Sequence, residues 1–396
     1  MKGTCTVTEM RPSIGVDIAT LRPPFTGIAN YEIQLLTRLV ARLPQARFRG
    51  FGVYRWQDVD AAFLTSCRSQ DVPLARRKAS PLRYSTLAHS LRNLLRQTLF
   101  STSVAAEKLS LYHAFSYRPA GRLTAPVIPV VYDLSTLRHP ETHPASRLRW
   151  MRPLEALCRS APLIHTISHF TASEIETLFG VPIERIRVVH PGVDAIFLAD
   201  APPEPATLAK WSVTPGSYVM SVSTIEPRKN LKTLILAYAA LPQATRLAMP
   251  LIVVGARGWG DMDLPQSLGP LEAEGSLRFA GYVSNPDLRD LYAGARALFY
   301  PSLYEGFGMP ITEALACGTP VVTSQSASMP EAGGPVSRYV APLDVDGWRQ
   351  ALAETAESRD HLDANARQHR QAHAAGFSWD GAADTVEAMY RQILSL

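Results

Sequence analysis

Short apolar runs alternate with amphipathic stretches along the whole chain. Residues 13–18 form the first run, and a loop, Arg22-Pro-Pro-Phe-Thr-Gly27, follows it. Ile33, Leu36, Val40 and Leu43 then recur at spacings of three and four, the period of one helix face. Residues 48–54 alternate like a strand, and residues 109–115, 127–132 and 163–167 are apolar runs that end in polar loops. Residues 188–193 read as a strand running into a turn. A stretch rich in Pro, Ala and Ser at 200–217 reads as a linker. After it the alternation restarts. Strands are expected at 218–222, 251–255, 277–279, 297–301 and 321–323, with helices at 231–241, 287–295 and 310–316. Strands alternating with helices predict parallel sheets covered on both faces. The pattern occurs twice, so the expected fold class is α/β, with two doubly wound Rossmann-like domains. Such sheets bind ligands at the C-terminal ends of their strands, and two of them face to face enclose a cleft.

Composition narrows this picture. Of the 396 residues, 46% are hydrophobic and 19% charged, a globular mixture that excludes disorder as the main state. The net charge of +5 conceals an asymmetry. Residues 1–200 carry 25 Lys and Arg against 15 Asp and Glu, a net of +10, and the remainder carries 15 against 20, a net of −5. Opposite signs point to two domains with different partners. Cys5, Cys67, Cys158 and Cys317 lie far apart without a C-x-x-C pair, which argues against a zinc ribbon, a redox motif or a disulfide scaffold. The first residues contain no apolar h-region, so no secretory signal is expected, and no run approaches the roughly 18–20 apolar residues that span a bilayer.

One stretch stands apart. Residues 76–100 carry Arg76, Arg77, Lys78, Arg83, Arg92 and Arg96, interleaved with leucines. Leu87, Leu91, Leu94 and Leu95 share one helical face. A basic amphipathic helix of this kind can lie on a membrane. The commoner arrangement, a surface helix packing its leucines into the core, is the one expected here.

The candidate chemistry concentrates in the second half. In Phe299-Tyr-Pro-Ser-Leu-Tyr-Glu-Gly-Phe-Gly-Met-Pro310 a strand gives way to a loop containing Gly306 and Gly308. Pro310 suits a first helical turn, and Cys317-Gly318 with Pro320 marks the stop. A glycine loop running into a helix N-terminus offers free N–H groups and a favourable dipole to an anion such as a diphosphate. Glu305 lies in that loop and Glu313, eight positions on, is expected in the first helical turn. A carboxylate there accepts hydrogen bonds from neighbouring sugar or ribose hydroxyls, although dipole stabilisation alone would account for an acid near a helix start. Arg228 and Lys229 follow the strand at 218–222 and are placed for phosphate, a solvated basic turn being the alternative. Residues 253–259, Val-Val-Gly-Ala-Arg-Gly-Trp, form a strand-to-glycine turn that lets a ligand approach the backbone.

Taken in order, E-P-R-K-N after a strand, G-A-R-G-W, R-F-A-G-Y-V and S-L-Y-E-G-F-G-M-P-x-x-E-A-L-A-C-G-T-P-V-V resemble glycosyltransferase family 4. The match is dense over 218–396. It is looser over 1–200, where T-G-I-A-N-Y from Thr26, V-V-Y-D-L-S-T-L-R-H-P-E from Val130 and H-T-I-S-H-F from His165 also fit. The resemblance implies a retaining enzyme of GT-B architecture. It divides the chain into an acceptor-side domain at 1–200, a nucleotide-sugar domain at 201–376 and a C-terminal helix at 377–396 packing back on the first domain. It implies roles position by position. Arg228 and Lys229 would bind the donor diphosphate and stabilise the leaving nucleotide. Glu313 would hold ribose hydroxyls, and Glu305 would contact the transferred sugar. The backbone of Gly306, Phe307, Gly308 and Met309 would face sugar and phosphate, while Gly281, Tyr282 and Val283 would border the nucleobase. Gly27 would approach the phosphates across the cleft, and Asp133 would sit near donor sugar and acceptor.

Two positions depart from the family pattern. Tyr132 stands where many members have His, and Ser223 stands where Gly is common. A Tyr offers a hydroxyl but carries no positive charge towards a phosphate. Three D-x-D triplets, at Asp58 and Asp60, Asp261 and Asp263, and Asp344 and Asp346, read as structural and not as metal sites, Asp344 capping the helix after it. The expectation is therefore a metal-independent hexosyltransferase without a resident cofactor. Its donor would be a nucleotide sugar, GDP-mannose by likeness to bacterial mannosyltransferases of polysaccharide assembly. Its acceptor would be a saccharide or a lipid-linked saccharide in surface glycan assembly. A cytoplasmic protein at the inner face of the membrane fits this, with the basic half assigned to an anionic acceptor or membrane and not to nucleic acid. A non-catalytic nucleotide-sugar-binding or scaffold protein shares the same pattern. A dinucleotide-dependent oxidoreductase would want G-x-G-x-x-G after the first strand, which is missing.

Overall fold

A computed structural model describes residues 11–22, 26–69, 86–256 and 268–394. The expected turn at Arg257, Gly258 and Trp259, the Asp261 and Asp263 pair, and the basic residues Arg76, Arg77, Lys78 and Arg83 lie outside the described residues.

Two parallel sheets organise the chain. The first contains β1 (Ser13–Asp17), β2 (Arg47–Phe51), β3 (Trp56–Asp58), β4 (Leu111–Ala114), β5 (Val127–Val131), β6 (Ile164–Thr166) and β7 (Ile186–Val188). Its order is β3-β2-β1-β4-β5-β6-β7. The second contains β8 (Val219–Val222), β9 (Leu251–Val254), β10 (Leu277–Gly281), β11 (Ala297–Tyr300), β12 (Val321–Ser324) and β13 (Arg338–Val340), in the order β10-β9-β8-β11-β12-β13. All pairings are parallel except β2 with β3. The apolar runs are continuous because β1, β4, β8, β9, β11 and β12 are buried along their whole length, as helix-covered parallel strands are. In both sheets the order reverses beside the first strand, between β1 and β4 and between β8 and β11. A crevice opens at such a switch point, outside the carboxyl ends of the strands. These two doubly wound domains meet face to face, the GT-B arrangement that the motifs imply.

Three local readings change. Residues 48–54 do not form one strand, because the chain turns after Phe51 and returns as the antiparallel edge strand β3. The stretch 200–217 is not a loose linker. It contains the helix Pro205–Ala209, whose Leu208 is fully buried, and the Arg289 guanidinium donates to the carbonyls of Ala199, Ala201 and Pro202. The third change concerns the helix Thr86–Ser103. Leu91, Leu94 and Leu95 are 68%, 60% and 48% exposed, so this leucine face does not pack into the core. Phe100 anchors the helix instead, buried against Phe51, Trp56 and Tyr112. The helix turns once every 3.6 residues, so seating Phe100 directs Leu91, Leu94 and Leu95, on the opposite side, outward.

The last helix, Trp379–Leu394, packs on the helix Gly27–Arg42 of the first domain. Arg38 and Arg42 pair with Asp380, and Arg42 also with Asp384. Underneath runs a buried polar chain. Tyr390 Oη lies 2.7 Å from His113 Nδ1, His113 Nε2 lies 2.9 Å from His165 Nδ1, and His165 Nε2 lies 2.6 Å from Tyr31 Oη. Tyr31 Oη donates to the Val189 carbonyl at 2.8 Å. That last bond fixes the polarity of the rest. Tyr31 must accept from His165, His165 from His113, and His113 from Tyr390. Both imidazoles are therefore neutral with the proton on Nε2. Burial drives His113 well below its usual pKa and His165 down to about 3.

Candidate active site

The C-terminal domain builds its site at the β8/β11 switch point. The 3-10 turn Pro227–Lys229 follows β8, and the loop 302–308 follows β11. Asn230 ties them together. Its amide donates to the carbonyls of Pro301 and Pro342, at 2.9 and 2.6 Å, and its Oδ1 accepts from Thr233. Asn230 takes the left-handed conformation (φ 56°), which its short polar side chain tolerates. The backbone closes the join, with Leu303 N donating to the Arg228 carbonyl at 2.9 Å.

Arg228, Lys229 and Glu305 therefore converge. Lys229 Nζ donates to Glu305 Oε1 at 2.6 Å, and Arg228 Nη1 to Glu305 Oε2 at 3.1 Å. Tyr300 Oη donates to Oε1 at 3.0 Å. Arg228 is also bound to Glu226 at 2.9 Å and to the Tyr304 carbonyl at 2.5 Å. Burial alone would raise the Glu305 pKa, but Lys229 and Arg228 outweigh it and hold the carboxyl at about 2. Burial likewise opposes the Arg228 charge, and Glu305, Asp133 and Glu226 overcome it, so the guanidinium stays charged. The Arg228 Nε is shielded from solvent and has no hydrogen-bond partner among the described residues.

The glycine loop is oriented from behind. Ser328, fully buried, donates through Oγ to the carbonyls of Glu305 and Phe307 at 2.8 and 3.0 Å. Carbonyl and amide point in opposite directions across a trans peptide, so the N–H groups of Gly306 and Gly308 point away from Ser328. Gly308 (φ 107°) is the N-cap of the helix Met309–Ala316, with Pro310 in its first turn. Glu313 sits in the second turn of that helix and not in the first. It accepts from Tyr292 Oη at 3.0 Å. It keeps some contact with solvent but is densely surrounded, and burial pushes its carboxyl up to about 7, with Asp194 adding to the shift. At the C-terminal end of β10, Gly281 turns with φ 67° and Tyr282 is partly exposed, whereas the Val283 side chain packs inward. Phe307 is also turned inward, against Phe377 and His190.

The first domain supplies the opposite wall. Asp133 follows β5, and its Oδ1 accepts from Ser135 N and Oγ at 2.9 and 2.6 Å. Ser135 Oγ lies 2.9 Å from His143 Nε2. Burial pushes the His143 pKa below its usual value against the pull of Asp133. Tyr132 does not point into the cleft. Its ring packs edge-on to Tyr31 and Tyr117, 5.6 and 5.4 Å away, and its hydroxyl is buried without a hydrogen-bond partner among the described residues. An imidazole does approach Asp133, but it is His143. Gly27 opens the helix Gly27–Arg42, which Thr26 caps, and a side-chain carbon added at Gly27 would meet only open space.

The two walls touch. A Cβ built on Gly306 would lie 1.9 Å from the Tyr132 carbonyl oxygen, so only glycine permits this approach. Tyr304 Oη accepts from Leu134 N and donates to Glu174. Glu331 accepts from the backbone N–H groups of His169 and Phe170, at 2.8 and 3.2 Å, and lies 2.5 Å from His190 Nε2. His169, His190 and Glu331 are the one cluster among the described residues spaced as metal ligands. The Glu331 carboxylate is already engaged there in joining the domains. The D-x-D carboxylates among the described residues are engaged as well. Asp58 pairs with Arg47 and Arg49, Asp60 and Asp344 cap helices, and Asp346 pairs with Arg349. Sequence reasoning missed Ser328, Tyr304, Asn230, Glu331 and His143. Asn230 and Tyr304 had local signals, in their places directly after Arg228-Lys229 and directly before Glu305.

Comparison with known proteins agrees with this geometry. Residues 29–196 match the family described as Glycosyltransferase Family 4, and residues 210–369 match Glycosyl transferases group 1. O-antigen chain mannosyltransferase B of Escherichia coli is 33% identical over 373 residues, spanning 94% of this chain and 97% of that one. The serotype-specific mannosyltransferase WbdA of Escherichia coli is 30% identical over 295 residues, 71% of this chain but 36% of its own length. Sucrose-phosphate synthase from Thermosynechococcus elongatus has the same fold, with a TM-score of 0.69 at 20% identity, covering 97% of this chain and 100% of that one. HepE from Anabaena, solved with UDP and glucose, gives 0.68 at 20% identity over 95% and 98% of the two chains. The chain belongs to glycosyltransferase family 4.

Proposed function

We propose that this glycosyltransferase moves mannose from GDP-mannose to a saccharide or lipid-linked saccharide acceptor, with retention at the anomeric carbon and without a metal. The observation that carries the reading is the Arg228–Lys229–Glu305 cluster at the β8/β11 switch point, facing Asp133 across the cleft. Glu305 holds the two cations in place. An incoming diphosphate competes for them. The Glu305 carboxylate then accepts from hydroxyls of the transferred sugar. Two cations supply the countercharge that a leaving diphosphate needs. In the transfer step the bond from the anomeric carbon to the diphosphate oxygen breaks. The acceptor oxygen forms its bond on the same face, and the acceptor proton leaves on the departing diphosphate. Glu313 holds the ribose hydroxyls. The choice of mannose rests on relatives named as mannosyltransferases, one of them matching along nearly its whole length. A role in O-antigen or related surface glycan assembly follows from the same names.

The test is a donor panel of GDP-mannose, UDP-glucose and UDP-galactose, with a mannose-terminated oligosaccharide and EDTA present, read by nucleotide release and proton NMR of the product. GDP release with an α-linked product is expected. A β-linked product would overturn retention, release only on adding a divalent ion would overturn metal independence, and turnover of a UDP-sugar alone would overturn the donor. No release from any donor would overturn the enzymatic reading.

A further inference from the structure

The bonds that hold the Asp133 carboxylate run in one direction. Asp133 Oδ1 accepts from Ser135 N at 2.9 Å and from Ser135 Oγ at 2.6 Å, an Asx turn at the start of the helix Ser135–Arg138. A serine hydroxyl has a single proton. A separation of 2.6 Å is the charge-assisted range for a hydroxyl on a carboxylate, so that proton is spent on Asp133. Ser135 Oγ also lies 2.9 Å from His143 Nε2, and with its proton spent it can only accept there. His143 therefore bears a proton on Nε2. The opposite tautomer would make Nε2 an acceptor that competes with Asp133 for the serine proton.

Each member is fixed in place. Ser135 is fully buried. His143 ends the 3-10 turn Pro140–Thr142, its N–H donating to the Pro140 carbonyl at 3.1 Å. Pro144 follows it and keeps its backbone extended (φ −119°, ψ 144°). Burial lowers the His143 pKa, with Arg147 and Arg228 adding to the shift and Asp133 and Glu141 opposing it, so the imidazole is neutral at physiological pH. The other end of this chain of bonds is the cleft. Both bonds that Asp133 accepts from described residues end on Oδ1, and the residue is partly exposed, which leaves Oδ2 for a ligand. Asp133 Cβ lies 3.2 Å from where a Cβ on Gly306 would stand, and Asp133 favours the charge on Arg228. Next to it, Leu134 N donates to Tyr304 Oη at 3.2 Å and docks the same turn on the second domain. A carboxylate so placed faces a sugar lying between the two walls.

We propose that His143 and Ser135 are positioning residues for transfer, a relay that fixes Asp133 with its Oδ2 towards a hydroxyl of the donor sugar. The assignment rests on the glycosyltransferase reading above and adds two residues that act without touching substrate. With the hydroxyl bond lost, only the Ser135 N–H holds the carboxylate, and Oδ2 drifts from that direction. Orientation counts most at the reacting step, so the loss falls on kcat and not on nucleotide binding.

Two measurements on the full chain test this. The first needs no turnover. Heteronuclear NMR of histidine-labelled protein at neutral pH reads the tautomer of His143, assigned by the resonance lost in His143→Gln. The Nε2–H tautomer is expected in wild type, and Ser135→Ala is expected to shift it towards a mixture. An Nδ1–H tautomer in wild type, or an unchanged His143 resonance in Ser135→Ala, would overturn the relay. The second is steady-state transfer from the donor that turns over in the panel above, with GDP affinity and a melting curve for each variant. Ser135→Ala and His143→Leu are each expected to lower kcat at least about tenfold, the worth of one hydrogen bond to a charged group. GDP affinity is expected to change less than about twofold in both, since its site lies across the cleft. His143→Gln keeps an N–H donor and is expected to stay within about threefold of wild type. The double variant Ser135→Ala/His143→Leu is expected to be less than about twofold slower than Ser135→Ala, because the imidazole acts through the hydroxyl. Additive losses, a Gln variant as slow as the Leu variant, or wild-type kcat in a folded Ser135→Ala protein would overturn the positioning role. Absence of turnover in wild type would instead count against the transferase reading, and the tautomer would still decide the relay.

Discussion

At one approach of the two domains a glycine faces a carbonyl, and adding one methyl group there tests whether closure matters for transfer. A Cβ at position 306 lies 1.9 Å from the Tyr132 oxygen and 3.2 Å from Asp133 Cβ. Ordinary contact begins at 3.4 Å, so Gly306→Ala forces the facing backbones apart by about 1.5 Å. Neither side yields easily, since Ser328 anchors the carbonyls flanking Gly306 and Tyr132 is wedged between Tyr31 and Tyr117. Gly306 is not in the left-handed region, so the cost is the contact and not backbone strain. A displacement of about 1 Å between reacting groups costs roughly 100-fold in rate, or about 2.7 kcal/mol. Gly306→Ala should therefore lower kcat by at least about 100-fold while nucleotide affinity, set within the C-terminal domain, changes by less than about threefold. Gly255→Ala is the contrast. Its Cβ would lie 1.9 Å from the Ser223 carbonyl within one domain, at φ 141°, so it should lower the melting temperature and nucleotide affinity together. Steady-state kinetics, calorimetric nucleotide binding and thermal melts on the two variants decide the matter. A Gly306→Ala enzyme within about threefold of wild-type kcat would refute the argument that the closed contact positions the reacting groups.

Two further predictions concern protonation. Glu313 carries a carboxyl raised to about 7, and a carboxylate accepts from ribose hydroxyls where a protonated acid accepts less well. Nucleotide affinity should rise between pH 6 and 8, and Glu313→Gln should weaken binding and flatten the profile; an identical profile in the variant would remove Glu313 from the ribose site. His113 is fully buried with a depressed pKa, so its stabilising contribution is complete above the unfolded value of 6.5 and is lost as pH falls below it. From pH 7.5 to 5.0 that is about 2 kcal/mol per buried neutral imidazole. Denaturant titrations should show wild type losing about 2 kcal/mol more than His113→Asn over this range. Glu313 titrates in the opposite sense, and the comparison cancels it. Equal losses in the two proteins would contradict the neutral His113–His165 relay.

Much of this molecule is written in local patterns. The buried parallel strands are legible because each is an unbroken apolar run, and Gly308, Pro310 and Gly318 punctuate the helix Met309–Ala316 as sequence rules require. The Arg228-Lys229 turn and Glu305 carry their chemistry in short motifs. The supporting groups carry no such signal. Ser328 orients the glycine loop from more than twenty residues away, and Tyr304 and Glu331 reach into the other domain. Their partners are set by tertiary approach, which spacing does not encode. The leucine face of the helix Thr86–Ser103 shows a different limit. Periodicity identifies an apolar stripe but not what covers it, and Phe100 took the core position that the leucines were expected to fill. Tyr132 differs again. The His that many family members place there is missing, and His143 approaches Asp133 from a separate turn.

Lys229 gives the most direct test of the central claim, that the Arg228–Lys229–Glu305 cluster is the donor diphosphate site. Arg228 also braces Tyr304 and Glu226, whereas the Lys229 side chain hydrogen-bonds only Glu305 and Tyr300 among the described residues, so its removal leaves the scaffold standing. The measurement is GDP affinity by calorimetry in Lys229→Ala beside wild type, with a melting curve for each. The account predicts GDP binding weakened at least about tenfold, in line with the loss of a charge-assisted phosphate contact, and a melting temperature within about 3 °C. Unchanged GDP affinity in a folded Lys229→Ala protein would contradict it.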